Sequence, residues 1–333
     1  MDNLTHTLTG IALSQAGLNR KTRFATLALI LGSNAPDVDI VARFGGSTAY
    51  LEYHRGITHS LVGLTGLAFV LTALIYFPGR RLKPKPFAPS LDGRWLLVLC
   101  SIALLCHLLL DFTNAYGVRP LMPFSGRWYA WDIMPILDPL LLLVLAAGLG
   151  LPAVLRLVSE EVGAQKTGYQ RGAIMGLVVM VLLWGLRDIN HRRVLALLGS
   201  SNYGGEPPLR LGAFPTLGPF LWMGVIETDT AFHVLEASAL ANDVADEHAE
   251  VFHKPEPSPV LDVALHTHLG RVFMNFARFP WAQVDENPDG YEVRIRDLRF
   301  GSGSPGLFQA RIELDRNLRS RSESFSFMGE PTQ

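Results

Sequence analysis

Charge is scarce in this sequence. Lys, Arg, Asp and Glu supply 18% of its 333 residues, against about a quarter in an ordinary soluble domain. Hydrophobic residues make up 49%, and the mean hydropathy is +0.23. That balance excludes a disordered, highly charged chain and points to one embedded in lipid. An excess of one sign is missing too: the net charge is -1, so no nucleic acid or other polyanion is expected as a partner. Cysteine is nearly absent. Cys100 and Cys106 both lie inside one apolar run, which excludes a disulfide framework and a C-x-x-C site and leaves two small residues packing in a helix. The N-terminal MDNLTHTLTGIALSQAGL lacks the basic region and small-residue cleavage site of a secretory signal, so uncleaved membrane segments are expected to direct targeting. No internal repeat is present.

Long apolar runs are what the sequence has instead. A spanning helix needs about 20 mostly apolar residues, and four segments approach this: Thr58–Phe77, Trp95–Asp111, Ile136–Val158 and the shorter Gly172–Leu186. Leu8–Leu18 and Phe24–Leu31 are too short to span alone and read as a helical hairpin tucked among the full spans, where protein would cover its turn. The fold expected for residues 1–190 is thus an α-helical polytopic membrane domain: a short N-terminal hairpin plus about four spans.

Basic residues orient these spans. Arg80, Arg81, Lys83, Lys85 and Arg94 cluster between the first two, with Arg156, Lys166 and Arg171 in a later loop and Arg20, Lys21 and Arg23 in the hairpin turn. The positive-inside rule makes these cytoplasmic; Arg187, Arg192 and Arg193 pull weakly the other way. The chain is then a multi-pass protein of a bacterial-type inner membrane. Asp37, Asp39, His54, His59, His107, Asp111, Asp132 and Asp138 fall at the outer face, with His6 if the hairpin dips from that side.

After residue 190 Pro and Gly become frequent and alternation appears. Tyr291, Val293 and Ile295 alternate with charged residues in YEVRIRD, and FQARIEL repeats the pattern. Period two with polar partners predicts half-buried strands. Residues 191–333 are expected to form a small extracytoplasmic α+β domain whose polar tail, Arg316–Gln333, is partly disordered.

Four stretches carry chemistry. His107 and Asp111 are four apart in a span and share a helix face. An imidazole and a carboxylate suit zinc or a similar divalent ion, and ionisable groups inside a span are costly enough to be functional as a rule. In HRGITHS, His54 and His59 are five apart, a poor helical spacing, so a loop is expected to enter a helix at His59. Thr58 is the candidate cap of that helix, and Arg55 could meet a phosphate or carboxylate bidentately. In NAPDVD, Asp37 and Asp39 follow Pro36; one could bind metal while the other orients a ligand histidine. His6, in DNLTH, is weak alone. Three histidine-bearing segments and an Asp-x-Asp turn on one side of one bilayer are enough ligands for one closed site or two open ones. His248, His253, His266 and His268 lack matching carboxylates and read as surface or structural.

The motifs THTLTG, APDVD, HRGITHS and HLLLDFTNAYG together resemble the YdjM-like family of membrane-bound, metal-dependent hydrolases, over about residues 1–190. The resemblance implies a multi-span protein with a hydrolase site formed from these motifs. More distantly the pattern is similar to the zinc-dependent phospholipase C and single-strand nuclease superfamily, in which an early His, an Asp, a later His and a helical His-x-x-x-Asp bind a zinc cluster. His6, Asp37 or Asp39, His59, His107 and Asp111 match that order. A second helical His-x-x-x-Glu pair is missing and no cleavage frees an N-terminal amine, so one or two zinc ions are expected, not three. Asp132 and Asp138 are candidates for the missing carboxylates.

The resulting expectation is metal-assisted hydrolysis of a phosphoester, on a phospholipid or lipid-linked substrate drawn from the bilayer. His6, His59, His107, Asp111 and Asp37 or Asp39 would hold metal. The other aspartate or His54 would take the proton, and Arg55 would steady developing negative charge. The rival classes are a metal-ion or proton-coupled transporter and a non-enzymatic scaffold. Against transport, Leu64–Phe77 and Leu96–Leu105, in the cytoplasmic halves of their spans, read apolar, whereas a path for ions needs polar groups through both halves.

Overall fold

A computed structural model describes residues 1–84, 86–162, 169–244, 249–301 and 308–327, without the side chains of 153–162. Lys85, Lys166, His248 and the side chain of Arg156 lie outside the described residues. Internal contacts divide the chain into two units. One is Met1–Asp39 with Arg55–Asp188; the other is Ile40–His54 with Ile189–Gln333.

The first unit is helical. Helix α1, Asn3–Gln15, starts where the Asp2 carboxylate accepts from Thr5 N at 2.9 Å, satisfying a donor the first turn leaves free. After the left-handed Gly17 (φ 119°) the chain turns into α2, Ala25–Gly32, and a 3-10 run, Ala35–Gly45. Helix α4, Leu61–Arg81, is capped by Ser60, whose hydroxyl accepts from Gly63 N at 3.0 Å. The cap is therefore Ser60 and not Thr58, because Thr58 lies within the 3-10 turn Ile57–His59 before the helix starts, where its hydroxyl donates to Asp39 Oδ2 (3.1 Å). Helix α5, Gly93–Phe112, begins at Asp92, which accepts from Arg94 N at 2.8 Å. Between α2, α4 and α5 lies a dry core of Leu29, Leu64, Leu96, Leu99, Cys100 and Leu104. Phe69, Leu74 and Phe77 on α4 face outward and exposed, a costly surface in water and a natural one against acyl chains.

Helix α6 is Pro139–Val162 and α7 is Tyr169–Gly199. They approach closely at the glycines Gly148, Gly172 and Gly176. A Cβ built on Gly172 would stand 2.5 Å from Gly148 O and 2.3 Å from Pro152 Cγ. Small residues permit such backbone contact between apolar helices, where burial against lipid gives little driving force. Gly172→Val is expected to lower stability by about 1–3 kcal/mol, the usual cost of overpacking, read as an earlier unfolding midpoint in mixed micelles.

Four helical segments are long and apolar enough to cross a membrane: Ala25–Gly45, Leu61–Arg81, Gly93–Phe112 and Tyr169–Gly199. Two expectations are corrected. The second limb of the expected hairpin does not stop at Leu31, because the 3-10 run extends it to 21 residues. The last span is not short, since α7 continues through Arg187 to Gly199 as 31 residues. Among the described residues α6 is apolar over Pro139–Pro152.

The second unit is α+β, as expected. Strands β1 (Arg210–Pro215), β2 (Leu221–Glu227), β3 (Ala231–Ser238) and β4 (Glu250–His253) form one antiparallel sheet in that order. Helices α8 (Pro259–His266) and α9 (His268–Phe276) precede a second antiparallel sheet of β5 (Pro280–Asn287), β6 (Gly290–Asp297), β7 (Gln309–Asp315) and β8 (Ser320–Ser326). The tail expected to be partly disordered thus contributes an edge strand; residues 328–333 lie outside the described ones. The helix α3, Ser47–Tyr53, belongs to this unit and packs on α9 and β8.

Candidate metal centre

Four ligand atoms converge in the first unit. Asp37 comes from the 3-10 run after α2, His59 from the turn before α4, and His107 and Asp111 from the last two turns of α5. His59 Nε2 lies 3.0 Å from His107 Nε2, 3.3 Å from Asp111 Oδ2 and 3.5 Å from Asp37 Oδ1. His107 Nε2 lies 3.4 Å from Asp111 Oδ2 and 3.6 Å from Asp37 Oδ1. These separations test the fit to a metal directly. Bonds of about 2.0–2.1 Å meeting at a tetrahedral angle leave ligand atoms roughly 3.3–3.4 Å apart, and the contacts here bracket that value. His59, His107 and Asp111 are fully buried, whereas Asp37 is half-buried, so the centre has one accessible edge.

The partners of the outer ring nitrogens strengthen the case. His107 Nδ1 meets Ser33 O at 2.8 Å. A carbonyl only accepts, so Nδ1 carries the proton and Nε2 presents a lone pair. His59 Nδ1 lies 3.0 Å from Thr58 Oγ1 and 3.3 Å from Asp39 Oδ2, and the Asp39 carboxylate holds that ring the same way round. Two lone pairs then face each other at 3.0 Å, an arrangement that needs a proton or a cation between them. The same inference comes from charge. Burial alone would lower the pKa of His59, yet hydrogen bonds to Asp111, Asp37 and Asp39 push it up to about 10. The metal-free centre gathers positive charge, and a metal must displace that proton. Zinc uptake is therefore expected to release about one proton at pH 7 and to weaken by up to tenfold per pH unit as pH falls. Calorimetry in buffers of differing ionisation enthalpy reads this release.

The other residues singled out in the sequence take distinct places. His6 stacks on His107 (3.9 Å between centroids), and its Nε2 is 3.4 Å from Asp111 Oδ1. Neither His6 nitrogen has a hydrogen-bond partner among the described residues, and burial first, then the neighbouring His107, lower its pKa to about 4. A neutral, unpartnered imidazole beside the quartet is a further ligand in waiting. Asp39 orients instead of joining the quartet: its Oδ2 accepts from Arg55 N at 2.8 Å as well as from Thr58. Arg55, in left-handed backbone (φ 51°), donates from Nη2 to Asp111 Oδ1 (2.9 Å) and from Nη1 to Asn114 Oδ1 (3.0 Å) and Gly117 O (3.2 Å). The free bidentate fork expected of it is already engaged, and only Nε lacks a partner among the described residues. The Met1 amine also contacts Asp111 Oδ1. His54 belongs to the second unit and stacks on Tyr50 at 4.5 Å. Asp138 supplies no missing ligand, because Arg187 Nη2 donates to it at 2.6 Å.

Asn114 was not singled out. Its side chain accepts from Arg55 and from Tyr116 N (2.9 Å), and an asparagine just past the C-terminus of the helix that carries His107 and Asp111 is the available signal.

A polytopic helical chain with a buried histidine–aspartate centre is the class these observations define. Residues 1–194 match the family described as YdjM inner membrane protein, and the chain belongs to that family. Residues 259–332, from α8 onward, match the YfhP C-terminal alpha/beta plait domain. Among curated proteins the chain is similar to "Uncharacterized protein YfhP" of Bacillus subtilis (strain 168), 26% identical over 339 residues that cover 97% of this chain and 94% of the relative. No solved structure matches.

Proposed function

We propose that the protein is a membrane-embedded, metal-dependent hydrolase of a phosphoester, on a phospholipid or lipid-linked substrate, with zinc as the preferred ion. The 3.0 Å approach of His59 Nε2 to His107 Nε2 within a four-ligand cluster is the observation that carries it. Asp37, His59, His107 and Asp111 would hold the ion, with His6 adjoining. An ion in such a set supplies Lewis-acid chemistry, polarising a phosphoryl oxygen and making water acidic enough to attack near neutral pH.

The chain's own groups divide the remaining work. Asp37 Oδ2 is buried without a hydrogen-bond partner among the described residues on the one half-buried ligand, which suits it to take the proton of the attacking water. Asp39, saturated by Arg55, Thr58 and His59, keeps the His59 ring in one tautomer. Arg55 Nε is the spare donor for negative charge developing on the substrate. The basic residues of the loop between α4 and α5 favour a cytoplasmic loop and an extracytoplasmic centre at the opposite helix ends.

The test is product release from a panel of diacyl phospholipids and isoprenyl phosphates co-reconstituted with the protein and zinc. Asp37→Asn should lower turnover at least about a hundredfold, the usual weight of a general base. Release by wild type no greater than by His59→Ala/His107→Ala would remove the hydrolase reading. Zinc or proton flux in the same liposomes would then favour transport.

A further inference from the structure

The second unit holds a cavity of about 270 Å³ that the metal centre does not use. Its walls are apolar: Leu261 and Leu265 from α8, Met274 from α9, Phe232 from β3, and Ala282 and Ile295, which pair across β5 and β6. Its polar groups are confined to Arg210, Glu227 and Lys254. Arg210 and Glu227 are register partners on β1 and β2, and Phe232 faces Glu227 from β3. Lys254 follows β4 directly and anchors to Thr230 O through its backbone N–H at 2.9 Å.

The charges do not balance. Among the described residues Glu227 is the single carboxylate in the lining, and both cations share it: Arg210 Nη2 at 2.8 Å from Oε2, and Lys254 Nζ at 3.0 Å from Oε1. Lys254 Nζ also donates to Thr228 O at 2.8 Å. Among the described lining residues one positive charge is left over beside an apolar cavity. The volume of about 270 Å³ falls just below the usual span of ligand sites, about 300–1,000 Å³, so a diacyl lipid is too large and a single short chain fits. Oily walls with a few convergent polar groups at one place fix a ligand's orientation, and here that group must be an anion.

We propose that this cavity binds a short single-chain carboxylate, the tail among Leu261, Leu265, Met274 and Ile295 and the carboxylate on Lys254 and Arg210. The site is independent of the metal centre and of the hydrolase reading.

The experiment uses the full chain in zwitterionic nanodiscs with 13C-methyl methionine, because Met274 reports from the cavity wall; Met274→Leu assigns its signal. Octanoate should shift the Met274 methyl saturably at one equivalent, whereas octanol and octyltrimethylammonium at equal concentration should leave it unmoved. Lys254→Met should weaken octanoate about tenfold or more, as loss of a charged hydrogen bond does, and Arg210→Gln should weaken it less. Leu265→Trp, which fills the chamber, should abolish binding. An unmoved Met274 signal overturns the proposal, as does octanol acting as well as octanoate, or equal octanoate binding by wild type and Leu265→Trp.

Discussion

Replacing His59 and His107 together by alanine should take bound zinc from about one per chain to below one tenth. The expectation follows from the ligand arithmetic. Both imidazoles point Nε2 into the same space, each with its outer nitrogen held by Ser33 O or by Thr58 and Asp39, so both are committed as donors. Removing them leaves Asp37 and Asp111, one of which is already tied to Arg55 and the Met1 amine. Two carboxylates without an imidazole suit a hard, hydrated ion better than zinc. His6 is near enough to compensate in part, and the double variant with His6→Ala should remove any residue of binding. Metal content of the purified protein by mass spectrometry, after equal zinc loading and washing, checks all three. Zinc retained at full stoichiometry in the double variant would place the ion elsewhere.

The second large effect concerns stability and should spare the metal. Asp138 and Arg187 form an ion pair with both side chains fully buried. The same carboxylate accepts from Leu141 N at 2.8 Å, so it caps α6 as well as anchoring α7. Arg187→Met strands a buried charge, and breaking such a pair costs about 3–5 kcal/mol. Asp138→Asn with Arg187→Met removes both charges while keeping a capping oxygen, and most of the loss should be recovered. Zinc stoichiometry should stay at the wild-type level in both. Denaturant titration in mixed micelles gives the first quantity and metal analysis the second. A single variant as stable as wild type would show the pair to be dispensable.

The contrast between these two sites explains what could be read in advance. The His107–Asp111 spacing was legible because four residues on a helix fix a direction in space. His59 and Asp37 were legible only as ligand types on the same side of the bilayer. Their division of labour with Asp39 was not, since two aspartates two apart in a turn look alike until a hydrogen bond separates them. Arg55 shows the same limit: a sequence reveals a charge, not which of its donors are already taken. The capping of α4 by Ser60 instead of Thr58 turned on a short 3-10 turn, Ile57–His59, that delays the helix start by three residues.

Fold legibility followed the same physics. Strands β6 and β7 alternate cleanly because one face of each is buried. Strand β3, AFHVLEAS, is buried at six of its eight positions, so it carries no period-two alternation. Strand β8, SRSESFS, buries only Phe325 and looks like a polar tail, as an edge strand protected from further pairing should. The short helix α3 was hidden for a different reason. Its segment, Ile40–His54, lies between two metal-site motifs in sequence but belongs with the C-terminal unit, a partnership set by contacts that local pattern does not encode.

The central claim is that Asp37, His59, His107 and Asp111 share one divalent ion. X-ray absorption at the zinc edge of the loaded, washed protein tests it most directly. The account predicts about four nitrogen and oxygen neighbours near 2.0–2.1 Å, with outer-shell scattering from two or three imidazoles and no sulfur. A sulfur shell, a six-oxygen shell without imidazole, or no retained zinc would contradict it.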